Sequence, residues 1–547
     1  MSLSISRQRQ KVNIAMSTTS APATGTPAAS GRAIDPARRD RYRGLVAGMV
    51  GALAMVAVFI LLRPLTDSVS VLDTLADATL LAMPIGIFSF FLETFGAQAK
   101  TLFLVGLIAV LVLVGGGLGQ LYAAQTAGAR RPVWPRAQAL AIGILSVLGV
   151  FYLIVGGSQT PNAVSGANAL RSLVAIALGA EAWAVVTALL LTTLRRRVAS
   201  QRDESTDDAA AVDRRQLLTL AGLGAVAIGA VAVVGRDVVR VAGRKTVGAS
   251  SAGTISPAIT PPDDFYVISK NFIDPSPDRG DAWSLEIAGL VDRPGRITRA
   301  ELESMAGPDF VSTLTCISNE VGGPLIGTAR WTGAPLSAVL RHVGVRPNAV
   351  DLIAEGEDGY TDSFPIERAL SPEPHIVWAM NGEPLPRLHG VPVRLIVPGL
   401  YGIKNVKWLT KLTVSGDDYR GYWQDRGWTE TAVIKTQSRF DVPRDRDVLP
   451  AGEHEIGGIA FAGDRGISAV EVSFDGGATW REATIAENPS PAGLSWVVWT
   501  MTWQAKPGGY ELVVRATDGE GNLQTAEVAS PLPDGASGYH RIDVGVV

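Results

Sequence analysis

Runs of about twenty apolar residues dominate the first half of the chain. Four of them cover residues 44–62, 101–122, 137–155 and 170–194, and a fifth covers 217–234. Each is close to the ~20 residues that a helix needs to cross the hydrocarbon core of a membrane. The pattern therefore predicts membrane helices before any soluble domain begins.

A shorter apolar run at 78–92 contains Pro84 and Gly86, which favours a re-entrant or interfacial segment over a full span. Arginine placement supports this interpretation, because cytoplasmic loops collect arginine and lysine. Three arginine clusters share one side of the membrane only if 78–92 does not cross. These clusters are Arg38, Arg39, Arg41 and Arg43; Arg130, Arg131 and Arg136; and Arg195, Arg196 and Arg197. We therefore predict a disordered cytoplasmic tail over 1–43 and a four-helix membrane domain over 44–200.

Residues 201–255 form a polar, acidic linker followed by Arg214, Arg215 and the fifth apolar run. Paired arginines before an apolar run resemble a twin-arginine export signal, which is read by a receptor. Paired arginines also flank ordinary membrane spans, and the spacing alone leaves both interpretations open. No small-residue cleavage site follows, so we expect an uncleaved anchor with a domain outside the membrane.

The pattern changes at about residue 256 to short β-like runs, turns and a few helical stretches. From about residue 430 the alternation is purely β-like, as in Val470, Val472 and Phe474, which is typical of a β-sandwich. The composition of the 547 residues narrows the function. The net charge of −3 gives no basic surface for nucleic acid, and a mean hydropathy of +0.21 fits a chain partly in lipid. A single cysteine excludes intrachain disulfides and protein-ligated iron–sulfur clusters.

Candidate chemistry lies in two motifs of the second half. Cys316 occurs in STLTCISNEVGG, where a strand opens into a glycine-rich turn that could present a thiolate to a ligand or metal. An inert buried thiol is the alternative. His389, Arg394, Lys404 and Lys407 occur in NGEPLPRLHGVPVRLIVPGLYGIKNVKWL, a mixture of cations and glycines that suits a phosphate-like anion. A solvated surface is the alternative there.

These two motifs, with TARWTGAPLSAVL and HEIGGIAFAGDRGISAVEVSFDGGATW, resemble the sulfite oxidase family of molybdenum enzymes over about residues 260–545. The resemblance implies an α+β molybdopterin domain at 256–428, followed by an immunoglobulin-like dimerisation domain at 429–547. With the all-α transmembrane region that the apolar runs predict, we expect a multi-domain chain.

The resemblance also implies roles for individual residues. Cys316 matches the cysteine that ligates molybdenum beside the two sulfurs of molybdopterin, and a soft thiolate suits such a metal. Trp428, in WQDRGW, occupies the position of a substrate-binding tyrosine. The residues that would contact the cofactor are Asn271, Trp331, Ser363, His389, Arg394 and Lys407.

Departures from the family pattern bear on the substrate. Two arginine positions that would hold sulfite correspond to Val321 and Ile268, and Glu320 adds a negative charge beside the first. A site with fewer cations is poorly suited to a dianion. This favours a sulfoxide, an N-oxide or another neutral oxo-compound.

We therefore expect a multi-pass cell-membrane enzyme that binds one molybdenum–molybdopterin and no haem, because no histidine precedes His342. It would transfer oxygen atoms to or from a small substrate at the extracytoplasmic face, exchange electrons with an unidentified carrier or quinone, and form a homodimer through its C-terminal domain. Two alternatives stay open. One is a sulfite dehydrogenase that uses Lys270, Lys404 or Arg426 as cations; the other is a non-catalytic surface binding module.

Overall fold

The computed structural model describes residues 36–62, 71–84, 87, 90–91, 94–95, 99–159, 167–202, 229, 232, 235, 254–271, 274–275 and 282–547. Most of the predicted tail, most of the linker and the paired arginines Arg214 and Arg215 lie outside these residues.

Five helices can be given bounds in the described part of the N-terminal region. They are α1 (Pro36–Leu61), α2 (Val71–Ala82), α3 (Ala99–Gln125), α4 (Trp134–Gln159) and α5 (Ala167–Arg202). Within the described residues, four of them (α1, α3, α4 and α5) are long and apolar enough to cross a membrane. Helix α1 packs closely on α3, because a Cβ on Gly48 would overlap the carbonyl oxygen of Gly115. The indole N–H of Trp183 on α5 donates to the carbonyl of Gly48 at 3.1 Å, so α5 also packs against α1 at this point.

The first helix begins at Pro36, so residues 36–43, which the sequence assigned to a disordered tail, are helical. The reason is an ion pair that apolar periodicity does not reveal. The guanidinium of Arg195 on α5 lies 2.6 Å from the carboxylate of Asp40 and also donates to the carbonyl of Thr126 just after α3. Arg196 donates to the carbonyl of Arg130 at 2.9 Å. These contacts gather the three arginine clusters at one end of the bundle.

Helix α2 covers the beginning of the shorter apolar run and ends at Ala82, before Pro84. Ala76 on α2 packs against Leu104 near the start of α3. Arg195 contacts the opposite end of α3, so α2 lies at the end of the bundle away from the arginines.

Two sheets and three short α-helices make up most of the described part of the α+β region. One sheet has the strand order β2-β1-β10-β5-β6, and the other has the order β3-β4-β7-β8 with β9 paired to β7. Buried side chains such as Leu285, Leu340 and Leu395 form its main core. The elements are β1 (Ser284–Gly289), β2 (Gly295–Thr298), α6 (Arg299–Ser304), β3 (Phe310–Thr315), β4 (Ile326–Pro335), α7 (Leu336–Val343), β5 (Asp351–Gly356), β6 (Thr361–Pro365), α8 (Ile366–Leu370), β7 (His375–Met380), β8 (Glu383–Pro384), β9 (Arg394–Ile396) and β10 (Leu409–Ser415).

The C-terminal region is a β-sandwich, as the alternation predicts. Sheets with the orders β11-β13-β17-β16 and β12-β19-β18-β14-β15 face each other across a core that includes Val470, Val472 and Trp499. The strands are β11 (Gln437–Val442), β12 (Val448–Leu449), β13 (Gly452–Phe461), β14 (Ile467–Ser473), β15 (Arg481–Glu482), β16 (Thr484–Ile485), β17 (Val497–Ala505), β18 (Gly508–Asp518) and β19 (His540–Val546).

Candidate active site

A pocket in the α+β region encloses about 720 Å³, counting the mouth that opens to solvent. Four chain segments form most of its wall: 265–270, the end of β3 at 314–316, 388–394, and 402–407. Asp358, Tyr360 and Trp423 complete it. The pocket therefore lies where the two candidate motifs meet.

Cys316 is the first residue after β3 and lines this pocket. Its backbone N–H donates to the carbonyl of Leu325 at 2.9 Å, which fixes the turn. Its Sγ lies 3.0 Å from Oγ of Ser318. Burial raises the pKa of the Cys316 thiol, and the hydrogen bonds from Ser318 offset only part of that rise. A bound cation or metal would be needed to hold this sulfur as a thiolate at neutral pH.

His389 and Arg394 lie together on another wall of the pocket. Burial, and then the charges of Arg394 and Lys407, lower the pKa of His389 to about 4, so its ring is neutral. Its Nε2 lies 3.1 Å from the carbonyl oxygen of Pro262, which can only accept, so Nε2 carries the proton and Nδ1 is an acceptor. Burial lowers the pKa of Arg394 to about 10, and the guanidinium is still charged at neutral pH.

The guanidinium of Arg394 donates to two carbonyls, those of His389 at 3.1 Å and Asn405 at 3.2 Å. Its Nε atom is buried and has no hydrogen-bond partner among the described residues, and no carboxylate in that part of the chain pairs with it. Lys407 places a second cation nearby, with Nζ 2.9 Å from Oγ of Ser269. A buried cation without a counter-ion is costly, so this wall is built for an anionic group.

The donor set fits a molybdenum–molybdopterin cofactor. Cys316 offers one soft sulfur, which suits a metal that already has sulfur ligands. Arg394 and Lys407 offer charge-assisted hydrogen bonds to a phosphate. The orphaned Nε of Arg394 is the observation that most directly indicates a missing anionic partner.

Two further predicted residues stand behind the wall and do not line the pocket. The ring of Trp331 is fully buried, with its centroid 5.5 Å from the guanidinium of Arg394, and its N–H donates to the carbonyl of Ser312. The side-chain amide of Asn271 donates to the carbonyl of Asp358 at 3.3 Å. Both residues contact groups of the wall and so position it.

Trp428 and Ser363 are not brought to the pocket. The Trp428 indole packs with Ile317, Trp496 and other apolar residues where the α+β region meets the sandwich. The interpretation of Trp428 as a substrate-binding residue is therefore corrected, because a turn at Gln424–Arg426 directs Trp423 to the pocket instead. The Ser363 hydroxyl donates to the carbonyl of Tyr419, away from the pocket.

Sequence reasoning missed Tyr266, Asp358, Tyr360 and Trp423, all of which line the pocket. Three of the four are aromatic, so the wall is less polar than the basic motif indicates. Burial raises the pKa of Tyr266 far above its usual value, so its hydroxyl keeps its proton. The sequence offered one signal for these residues: Tyr266 lies in FYVISKN, the same segment as Asn271, which resembles a cofactor-contacting segment of the family.

The three cations proposed for a sulfite site lie in different places relative to the pocket. Lys404 is buried and paired with Asp362 at 2.7 Å, and the Arg426 guanidinium stacks on Tyr422 outside the lining residues. Lys270 does line the pocket. Ile268 also lines it, in place of an arginine, whereas Glu320 and Val321 are not among the lining residues.

Comparison with known proteins agrees with this geometry. Residues 273–423 match the family described as "Oxidoreductase molybdopterin binding domain", and residues 428–546 match "Mo-co oxidoreductase dimerisation domain". Mitochondrial sulfite oxidase from Mus musculus is 34% identical over 258 residues, which are 41% of this chain and 47% of that protein. Sulfite oxidase from Gallus gallus is 33% identical over 298 residues, 45% of this chain and 64% of that protein.

Among solved structures, the sulfane dehydrogenase SoxCD from Paracoccus pantotrophus aligns with a TM-score of 0.44 and 26% identity, covering 50% of this chain and 76% of that one. The matched half of the chain defines a molybdopterin-binding oxidoreductase domain followed by its dimerisation domain. Residues 273–546 are thus similar to the sulfite oxidase family of molybdenum oxidoreductases. The chain spans about half the length of the mouse relative and under two thirds of the chicken one.

Proposed function

We propose that the chain is a membrane-anchored molybdopterin-dependent oxidoreductase that transfers oxygen atoms to or from a small substrate at the extracytoplasmic face. One observation carries this proposal. The sulfur of the single cysteine shares a pocket with a buried arginine whose Nε has no partner within the described residues.

When bound, the molybdenum cofactor supplies two-electron oxygen-atom transfer. The residues of the chain hold and orient it. Cys316 would ligate the metal, and Arg394 and Lys407 would bind the phosphate of the pterin. The neutral ring of His389 would accept a hydrogen bond at Nδ1, and the protonated hydroxyl of Tyr266 would donate one. Trp423 and Tyr360 would exclude water from the reacting atoms.

The lining residues favour a neutral oxo-compound such as a sulfoxide. Ile268 stands where an arginine would hold an anion, and aromatic rings form much of the wall. Sulfite is the second candidate, because Lys270 lines the pocket and the curated relatives from mouse and chicken are sulfite oxidases.

Membrane anchoring is supported by four apolar helices and by the outward faces of α3 and α4. Leu113, Val114, Val147 and Ile154 expose more than half of their surface there, which suits lipid contact. The arginine clusters at one end favour a cytoplasmic location for that end. The α+β region contacts α2 at the other end, which supports an extracytoplasmic active site.

Export by a twin-arginine route through Arg214 and Arg215 is part of the proposal. Molybdopterin enters folded protein in the cytoplasm, and such a route carries folded proteins. A homodimer through the C-terminal domain is supported by the match to the dimerisation family. The redox partner would be a soluble carrier or a membrane quinone.

The test is molybdenum analysis of the detergent-purified full chain from cells that synthesise the cofactor, beside Cys316→Ser and a Ser318→Ala control. We expect near-stoichiometric molybdenum in the wild type and the control. The wild type should reduce sulfoxides with a reduced dye as electron donor, and Cys316→Ser should not. Folded wild-type protein without molybdenum would overturn the proposal and favour a non-catalytic surface module.

A further inference from the structure

Helix α2 of the N-terminal region touches the pocket wall through one carboxylate. Oδ2 of Asp77 lies 3.2 Å from Nζ of Lys270, and the Tyr422 hydroxyl donates to Oδ1 of Asp77 at 2.5 Å. The side chain of Lys270 is 3% exposed and that of Asp77 is 12% exposed. The pair is therefore shielded from bulk water. A salt bridge that is exposed to water contributes little free energy, and this one is not exposed.

Lys270 is the only basic residue of the segment 265–270 that lines the pocket, and its ion-pair partner Asp77 lies outside the α+β region. Its Nζ lies 5.0 Å from the centroid of the Tyr422 ring, which helps to hold the ammonium in place. Asp358 lies on the pocket side of Lys270. Burial raises the pKa of the Asp358 carboxyl group, and the positive charge of Lys270 offsets part of that rise. Lys270 thus lies between the pocket and α2, and the Asp77 carboxylate opposes the positive charge that Lys270 presents to the pocket.

We propose that Asp77 is a specificity-determining residue. By neutralising Lys270 from the membrane-proximal helix, it disfavours anionic substrates and leaves the pocket to neutral oxo-compounds. The other cations named for sulfite binding do not compete for this role, since Lys404 is paired with Asp362 and Arg426 does not line the pocket. This inference rests on the proposed function for its meaning in turnover, although the charge effect is measurable without turnover.

The probe is inorganic sulfate, a stable tetrahedral dianion, titrated calorimetrically into the resting, molybdenum-loaded full chain in detergent. Replacing Asp77 by asparagine keeps the shape of the side chain and removes its charge. We expect Asp77→Asn to bind sulfate about tenfold more tightly than wild type, with the gain lost at high salt, because a desolvated cation is released toward the pocket. Asp77→Glu should restore wild-type affinity.

Two further variants test whether the gain in sulfate affinity comes from Lys270. Asp77→Asn combined with Lys270→Gln should not show the gain. Glu286→Gln is the matched control, because it also breaks a lysine–carboxylate pair of the α+β region, with Lys411 at 3.0 Å, but away from the pocket. Its sulfate affinity should match that of the wild type. Equal affinity in Asp77→Asn and wild type, or a gain that survives loss of Lys270, would overturn the proposal.

If Asp77→Asn alone does not fold, the double variant Asp77→Asn with Lys270→Gln answers the same question, because it removes both charges of the buried pair. Its sulfate affinity should match that of the wild type within about twofold, and a loss of about tenfold would show that Lys270 already attracts anions in the wild type and would overturn the proposal. In turnover, Asp77→Asn should lower KM for sulfite while KM for a neutral sulfoxide changes less than about twofold. A chain that turns over neither compound would refute the proposed function, while the sulfate titrations would still decide the role of Asp77.

Discussion

The guanidinium of Arg394 lies 5.5 Å from the centroid of the Trp331 ring, a contact that keeps the charge of Arg394 beside the pocket. The indole in turn is fixed by its hydrogen bond to the carbonyl of Ser312 on β3. The strand that ends just before Cys316 and the strand that begins at Arg394 are thereby held in one arrangement. The proposed metal ligand and the proposed phosphate ligand are thus positioned together.

Arg394→Met tests whether this arginine serves the cofactor rather than the fold. Charge-assisted hydrogen bonds contribute about 1.5–3 kcal/mol each, so we expect molybdenum retention to fall roughly tenfold or more. Loss of the hydrogen bonds to the carbonyls of His389 and Asn405 is offset by removal of a buried charge that has no counter-ion, so the cofactor-free variant should melt close to cofactor-free wild type. Molybdenum analysis and thermal unfolding measure the two effects.

Arg465→Met is the control for that experiment. Arg465 is paired with the buried carboxylate of Asp518 at 2.9 Å, so its loss should lower the melting temperature of the sandwich. Molybdenum per folded molecule should stay unchanged. A drop in melting temperature for cofactor-free Arg394→Met as large as that for Arg465→Met would count against the cofactor role of Arg394.

Lys404→Met is expected to act on stability and not on anion binding. Nζ of Lys404 lies 2.7 Å from Oδ1 of Asp362, and both side chains are fully buried. Removing the lysine leaves a buried carboxylate without its cation, which costs about 3–5 kcal/mol of unfolding free energy. Thermal unfolding of the full chain should show the loss, and adding Asp362→Asn should recover most of it. A change in sulfate affinity with unchanged stability would contradict this role.

His540 predicts a pH dependence of the stability of the sandwich. Burial, and then the charge of Arg439, lower the pKa of His540 to about 4, and its Nδ1 accepts a hydrogen bond from the N–H of Phe440 at 3.0 Å. An unfolded chain takes up this proton near pH 6.5, whereas the folded chain resists it. Stability should therefore fall as the pH is lowered from 6.5 to about 4, by about 1.4 kcal/mol per pH unit and at most about 3 kcal/mol.

Replacing His540 by glutamine keeps an acceptor and removes the titration. The variant should show a flatter dependence of melting temperature on pH between 6.5 and 4. His389 and His375 contribute to the remaining slope, because burial lowers the pKa of both rings. An unchanged slope in His540→Gln would show that His540 does not titrate in this range.

Membrane topology gives a further prediction. Alkaline phosphatase fused after Val547 should be active if the C-terminal region is extracytoplasmic, and a fusion in the loop after Arg131 should be inactive. Replacing both Arg214 and Arg215 by lysine should abolish activity of the C-terminal fusion, since a twin-arginine receptor reads the pair. Activity that survives the lysine variant would assign these arginines to ordinary flanking of a span.

Apolar runs and strict alternation report burial directly, so the sequence predicted the helical N-terminal region and the β-sandwich. The sequence also places His389, Arg394 and Lys407 in one short basic motif. That Cys316 would lie beside them was implied only by the resemblance to the sulfite oxidase family, because no spacing joins the two motifs. The structure brings the four residues to one pocket.

Three features of the structure could not be predicted from the pattern of apolar and polar residues. The choice of Trp423 over Trp428 depends on a three-residue turn whose direction no periodicity encodes. The contact of Asp77 with Lys270 joins segments 193 residues apart, and nothing local to either segment specifies it. The helical start at Pro36 depends on the Asp40–Arg195 pair, which only the folded bundle brings together.

The central claim is that the thiolate of Cys316 ligates molybdenum. X-ray absorption at the molybdenum edge counts the sulfur ligands of the metal in the loaded full chain. The account predicts one sulfur fewer in Cys316→Ser than in wild type, provided that both samples retain the metal. The same number of sulfur ligands in both proteins would contradict it.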